Sequence, residues 1–212
     1  MFQIRTYVFN PFQVNTYIIS DSTGACVIID PGCENKEEEQ RLTREITMHG
    51  LHPVRLINTH CHIDHVLGNA FVKNTFPVQF LIHQLEQPLL SNSLEQGIFY
   101  GLEAPRSPEP DQYINDGDRI VFGDSELEII HLPGHSPGGV GLFNRNEKIL
   151  FAGDVLFQNS IGRTDLPGGN YQTLMNSIME KILVLDPDTV VYPGHGPPTD
   201  VGTEKRYNPF LK

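Results

Sequence analysis

Residues 60–65 read His60-Cys61-His62-Ile63-Asp64-His65, three imidazoles and a carboxylate in six positions. Neutral imidazole and carboxylate are the donors that suit zinc and its first-row neighbours. In an extended segment His60 and His62 point to the same side and can share one ion. Asp64 and His65 fall where the chain turns into a helix, so they aim elsewhere, at a second ion. A lone histidine reads best as a core or surface side chain; a cluster this dense does not. Three further elements each follow a predicted strand. His135 lies on the tight turn of His131-Leu132-Pro133-Gly134-His135, Asp154 ends Phe151-Ala152-Gly153-Asp154, and His195 ends Tyr192-Pro193-Gly194-His195. Glycines beside each let the backbone turn sharply, and loops over a rigid sheet are where function commonly sits. Together these are seven candidate ligands, enough for two metals.

The rest of the chain supplies the scaffold. Its 212 residues predict one domain, 1–212. Short β-branched runs at 4–9, 14–19 and 26–30 predict strands, the last a continuous apolar run leaving the sheet at Asp30-Pro31-Gly32. A helix is predicted over 35–49, acidic at its start and stopped by Gly50, and a second over 65–73. Further strands fall at 54–58, 78–82, 119–122, 127–131, 140–143, 148–152 and 189–192, and a helix at 171–185. Residues 84–112 read as an insertion or lid, with one or two helical turns and then a loop over 104–110. Strands followed by helices, twice over, predict two packed sheets with helices outside.

Composition narrows the partners. The net charge of −11 argues against nucleic acid and anionic membranes, which need clustered cations. Cys26, Cys33 and Cys61 are too few and too odd in number for a disulfide framework, so a reducing compartment, the cytoplasm, is expected. The N-terminus does not read as a signal peptide, and no stretch approaches the 18 or so apolar residues of a membrane span.

The order His60-x-His62-x-Asp64-His65, His135, Asp154, His195 resembles the metallo-β-lactamase superfamily across essentially the whole chain. The resemblance implies an α/β (α+β) chain folded as a four-layer αββα sandwich, with the metals at one edge between the sheets. It implies that His60, His62 and His135 bind one ion, that Asp64, His65 and His195 bind the other, and that Asp154 bridges them. Both ions are divalent, zinc first, with iron or manganese as options. The segment running from Phe157 through Gly162-Arg163-Thr164-Asp165 to Leu166-Pro167-Gly168-Gly169 is similar to glyoxalase II-like hydroxyacylglutathione hydrolases, as is Arg206-Tyr207-Asn208-Pro209-Phe210. Full-length glyoxalase II has an additional C-terminal helical domain that supplies much of its glutathione site, whereas this sequence ends at Lys212.

That resemblance implies hydrolysis of a small-molecule thioester, S-lactoylglutathione or a related acyl thioester, by a metal-bridging hydroxide. Asp64 is the candidate catalytic residue that orients this nucleophile. A thiol leaves as thiolate without a strong acid. Arg163 is a candidate anchor for a substrate carboxylate, with pairing to Asp165 as the structural alternative. His131 can support the site from outside or simply pack at a strand end, His83 and Tyr100 border the lid, and Cys61 alternates away from the ligands. Three rival readings stand. A persulfide dioxygenase would hold a single iron on His60, His135 and Asp154. An RNA phosphodiesterase of the same fold fits the acidic charge poorly, and so does a non-enzymatic metal-binding module fit a set arranged around a shared solvent ligand.

Overall fold

The computed structural model describes residues 2–102 and 106–212. The first sheet is built from β1 (Gln3–Phe9), β2 (Val14–Ser20) and β3 (Ala25–Ile29) as an antiparallel meander. The helix α1 (Lys36–Met48) then leads to β4 (His52–Ile57), parallel to β3. Its N-cap Asn35 accepts from the backbone N–H groups of Glu37 and Glu38, which satisfies donors the first turn leaves free. After α2 (Ile63–Val66) and α3 (Asn69–Thr75) come β5 (Gln79–His83), α4 (Gln87–Ser91), α5 (Ser93–Tyr100) and β6 (Gln112–Ile114), which closes the sheet in the order β1-β2-β3-β4-β5-β6.

The second sheet follows. It begins with β7 (Arg119–Phe122), β8 (Ser125–His131), β9 (Val140–Asn144) and β10 (Ile149–Gly153). A two-stranded ribbon comes next, β11 (Leu156–Phe157) with β12 (Ser160–Ile161), and then α6 (Tyr171–Ser177). The chain ends with β13 (Val190–Pro193), β14 (Thr199–Asp200) and α7 (Val201–Tyr207). The sheet order is β14-β13-β10-β9-β8-β7, with β10 and β13 parallel.

Side-chain alternation makes the layers. In β2, Tyr17 and Ile19 join the core between the sheets while Ile18 faces the helices; in β10, Ile149 and Phe151 face the other sheet while Leu150 and Ala152 face α6. The inter-sheet core holds Ile29, Ile57 and Leu81 from one sheet against Leu127, Leu142 and Phe151 from the other. Leu42 and Ile46 of α1 and Val72 of α3 cover the outside of the first sheet; Leu174, Ile178 and Val201 cover the second. The result is the four-layer αββα sandwich. Strands buried on both faces read as continuous apolar runs, which is why 26–29 looks the way it does.

Several expectations need correcting. The single helix at 65–73 is two: it starts at Ile63 and breaks at Gly68, whose N–H leaves the helix for the Pro31 carbonyl at 2.7 Å. The helix at 171–185 is α-helical only to Ser177 and continues as a π-helical stretch, Ile178–Ile182. Residues 84–100 are helical almost throughout, beginning with a 3₁₀ turn at Gln84–Glu86. Of the loop predicted over 104–110, Ala104 and Pro105 lie outside the described residues.

Candidate metal centre

Strand direction gathers the site. β8, β10 and β13 run the same way, and the segments leaving them carry His135, Asp154 and His195. The loop leaving β4 carries His60 and His62, and the first turn of α2 carries Asp64 and His65. The two sheets are tied together at this edge. Asn15 N–H donates to the Gly194 carbonyl at 2.7 Å, and the Tyr17 hydroxyl donates to the Pro193 carbonyl at 2.6 Å. Gly194 is required here: a Cβ would lie 2.1 Å from Asp154 Oδ1 and 2.7 Å from His65 Cε1.

All seven sequence-predicted ligands converge. Three donor groups each fit within 4.8 Å: His60, His62 and His135; His60, His65 and Asp154; and Asp64, His65 and His195. In the first, His62 Nδ1 lies 2.9 Å and His60 Nε2 3.2 Å from His135 Nε2. Two nitrogens at Zn–N distances of about 2.0–2.1 Å in a tetrahedron are roughly 3.3 Å apart, so this spacing suits a shared ion. In the third, Asp64 Oδ2 lies 3.1 Å from His195 Nε2 and 3.5 Å from His65 Nε2. Asp154 spans both: Oδ2 is 3.7 Å from His135 Nε2 and 3.5 Å from His195 Nε2, and Oδ1 is 3.5 Å from His65 Nε2.

The donor atoms fit divalent metal. His65 Nε2 and Asp154 Oδ1 are buried and make no hydrogen bond, a cost the fold carries unless an ion takes them up. The outward nitrogens of His65, His135 and His195 are held instead, whereas His62 turns Nδ1 into the cluster and its buried Nε2 has no partner. His65 Nδ1 donates to Asp30 at 3.0 Å, His135 Nδ1 to the Arg163 carbonyl at 2.7 Å, and His195 Nδ1 to the Phe12 carbonyl at 3.0 Å. These acceptors cannot donate, so the proton sits on Nδ1 and Nε2 faces the cluster, the arrangement of a ligating histidine. His60 Nδ1 lies 3.2 Å from Thr59 Oγ1.

Electrostatics divides the cluster. Burial and the neighbouring imidazoles push His60 well below the ordinary histidine range and His62 down to about 4. Burial would lower His65 as well, but Asp64, Asp154 and Asp30 outweigh it and raise it well above that range. Burial likewise opposes protonation of His195, and Asp64 and Asp154 raise it. Burial alone would raise the Asp154 carboxyl; His65, His195 and His135 hold it well below the usual carboxylate range.

The remaining predicted residues fall outside this cluster. Arg163 forks onto Asp165 with two 2.7 Å bonds, so its guanidinium takes the pairing and its carbonyl supports His135. His131 bonds the Pro137 carbonyl and stacks on His83 at 4.3 Å, so both pack behind the His135 loop. Tyr100 meets Phe12 edge-on at 5.5 Å, and the Phe12 carbonyl holds His195. Cys61 is buried in the core outside the ligand cluster.

Sequence reasoning missed Asp30 and Glu86. Asp30 sits at φ +49° and accepts from Thr59 N–H, Thr59 Oγ1 and His65. Its signal was present, an aspartate ending a buried apolar run before Pro31-Gly32. Glu86 had none.

The Metallo-beta-lactamase superfamily profile matches residues 9–195. The chain is 41% identical to "Probable metallo-hydrolase YqgX" of Bacillus subtilis, covering 95% of this chain and 93% of that protein. It is also 41% identical to "Hydroxyacylglutathione hydrolase GloC" of Haemophilus influenzae, covering 94% of this chain and 93% of that protein. "Persulfide dioxygenase ETHE1, mitochondrial" of Bos taurus is 34% identical over 85% of this chain and 63% of its own length. Among solved structures, BLEG-1 B3 metallo-beta-lactamase superposes with TM-score 0.91 at 34% identity, covering all of both chains. TTHA1623 in a di-iron-bound form gives 0.87 at 36%, covering 98% of this chain and all of that one. With its profile match, full-length relatives and αββα fold, this chain belongs to the metallo-β-lactamase superfamily.

Proposed function

We propose that this protein is a two-metal hydrolase of small acyl thioesters, of the hydroxyacylglutathione type. The observation that carries it is that two donor triads, His60–His62–His135 and Asp64–His65–His195, flank Asp154, whose carboxylate oxygens lie 3.7 Å from His135 of the one and 3.5 Å from His65 and His195 of the other. The 41% identity to GloC supports the thioester as substrate. His60, His62 and His135 would hold one divalent ion, Asp64, His65 and His195 the other, and Asp154 both. When bound, the pair supplies a water acidic enough to attack at neutral pH and a Lewis acid for the carbonyl oxygen.

The chain's own groups do the rest. Asp64, with its carboxylate 3.1 Å from His195 Nε2, would accept a hydrogen bond from the attacking water and aim it. The backbone carbonyls of Arg163 and Phe12 keep His135 and His195 in the right tautomer. No further acid is needed, because a thiol with a pKa near 8.5 departs as thiolate; an amide nitrogen would need a proton donor. The three buried, unpaired cysteines suit the reducing cytoplasm, with Cys26 and Cys33 pushed up to about 12 by burial. Among the described residues no helix is long and apolar enough to cross a membrane.

The 34% identity to ETHE1 favours one second reading, a mononuclear iron dioxygenase on His60, His135 and Asp154. One experiment separates them. Metal content is measured by elemental mass spectrometry on protein purified without added metal, alongside thioester hydrolysis and oxygen uptake. Two equivalents of metal with S-lactoylglutathione turnover support the hydrolase. One equivalent of iron, no hydrolysis, and oxygen uptake with glutathione persulfide overturn it in favour of the dioxygenase.

A further inference from the structure

Glu86 lies outside the donor set, yet it touches both loops that carry the imidazole triad. Its side chain is fully buried. Oε2 accepts the backbone N–H of Cys61, the residue between His60 and His62, at 2.7 Å. Oε1 accepts the backbone N–H of Gly138, three residues past His135, also at 2.7 Å. One carboxylate therefore spans the loop leaving the first sheet and the loop leaving the second. Short bonds from N–H to carboxylate are among the stronger hydrogen bonds and are directional. Close packing completes the joint: a Cβ on Gly138 would lie 2.9 Å from Glu86 Cγ and 2.8 Å from His83 Nδ1.

A buried carboxylate without a cationic partner is costly, and an apolar side chain would fill the same space at less expense. Its two bonds point to a positioning task. The separations it governs are those of His60 Nε2 and His62 Nδ1 from His135 Nε2, 3.2 and 2.9 Å, because those nitrogens ride on the two loops it joins. The other triad, Asp64, His65 and His195, has no bond to Glu86; Asp30 and the Phe12 carbonyl serve it instead.

We propose that Glu86 is a positioning residue that sets the spacing of the His60–His62–His135 triad and thereby the metal affinity of that half of the site alone. This rests on the reading of the cluster as a two-metal centre. A glutamine at 86 keeps one acceptor and turns an N–H₂ toward the other backbone N–H, so one loop comes off. An aspartate keeps the charge but lacks the reach to hold both.

The test is cobalt(II) titration of the metal-free full-length protein, followed by visible absorption and calorimetry, with thermal melting in parallel. Wild type should show two binding steps. Glu86→Gln should weaken one of them by about 10-fold or more, the size seen when outer partners of metal ligands are removed. The other step should stay within about twofold, and the cobalt absorption of the weakened step should change shape. Glu86→Asp serves as the second variant if the glutamine form fails to fold, with the same step affected. Leu42→Ala, which hollows the core under α1, is the control: it should lower the melting temperature and leave both steps unchanged. Equal cobalt affinities in wild type and in the Glu86 variants, with only the melting temperature lowered, would overturn the proposal. Equal weakening of both steps would overturn it too. A wild type that takes up no cobalt at all would overturn the metal-centre reading itself.

Discussion

The two halves of the candidate centre are built from different materials. The imidazole half, His60, His62 and His135, is buried, contains no carboxylate, and hangs on loops from both sheets. The carboxylate half, Asp64, His65 and His195, sits around one helical turn and one strand end, and its His195 side chain is 27% exposed. In the first half, burial and mutual repulsion keep His60 and His62 neutral. In the second, carboxylates pull protons onto His65 and His195. The first half thus presents lone pairs ready for an ion, whereas the second neutralises itself with protons until an ion displaces them. Under the two-metal reading, two ions at such a centre would not be equivalent, because the halves that would hold them differ in charge and burial.

The strongest way to break the comparison is to remove what the halves share. Asp154→Asn should abolish the distinction by disabling both, with hydrolysis reduced about 10³-fold or more and metal content lowered at each half. Retained turnover would mean that Asp154 bridges nothing. Next come paired single changes. His60→Ala and His195→Ala should each leave about one equivalent of metal, the survivor in the opposite half, distinguishable by cobalt absorption. If either variant loses both ions, the halves are not independent.

Asp30→Asn probes the carboxylate half from outside. An asparagine can turn an N–H₂ toward His65 Nδ1 and favour the wrong tautomer. Affinity at that half should fall roughly 10–100-fold while the imidazole half holds. Calorimetric titration that finds both steps unchanged would remove Asp30 from the site's support.

Acidification sharpens the comparison without mutation. A ligand whose metal-free pKa lies above the ambient pH must give up a proton before it can bind an ion. His65 and His195 are raised, so affinity at their half should fall about tenfold per pH unit for each protonated ligand between pH 7 and 5. His62 stays neutral down to about 4, and His60 is lowered too, so proton competition at these two ligands should not weaken their half over that range. Metal content after gel filtration across a pH series measures this; simultaneous loss of both ions would contradict it.

These contrasts also explain what was legible in the sequence. The candidate ligands were legible as a cluster because their chemistry is carried by residue type: the spacing in 60–65, and strand ends flanked by glycine at His135, Asp154 and His195, were enough to single out all seven. The central strands were legible because both faces are buried and the apolar runs are long. β6, β11, β12 and β14 were not, because strands of two or three residues are too short to show a period. The break at Gly68 depends on a carbonyl more than thirty residues earlier, at Pro31, which no local pattern encodes. The outer supports were the least legible. Arg163 and Phe12 act through backbone carbonyls, to which side-chain identity is irrelevant, and Glu86 is one glutamate in a segment that reads as an insertion or lid with one or two helical turns.

The smallest expected effect separates the two uses of Arg163. Its carbonyl supports the imidazole half whatever its side chain is, so Arg163→Ala should leave metal content and melting temperature nearly unchanged. Its guanidinium is more than half exposed and forked onto Asp165, an exposed pair of the kind that contributes little to stability. A substrate carboxylate would have to compete with Asp165 for that fork. Arg163→Ala should therefore raise KM severalfold for thioesters that carry a carboxylate near the acyl carbon or thiol, with kcat held. Asp165→Asn, which frees the fork, should lower KM for the same substrates. Opposite signs from the two variants would assign the guanidinium to substrate; equal changes of the same sign would leave it holding the loop, and the centre's inequality would rest on its ligands and their outer partners alone.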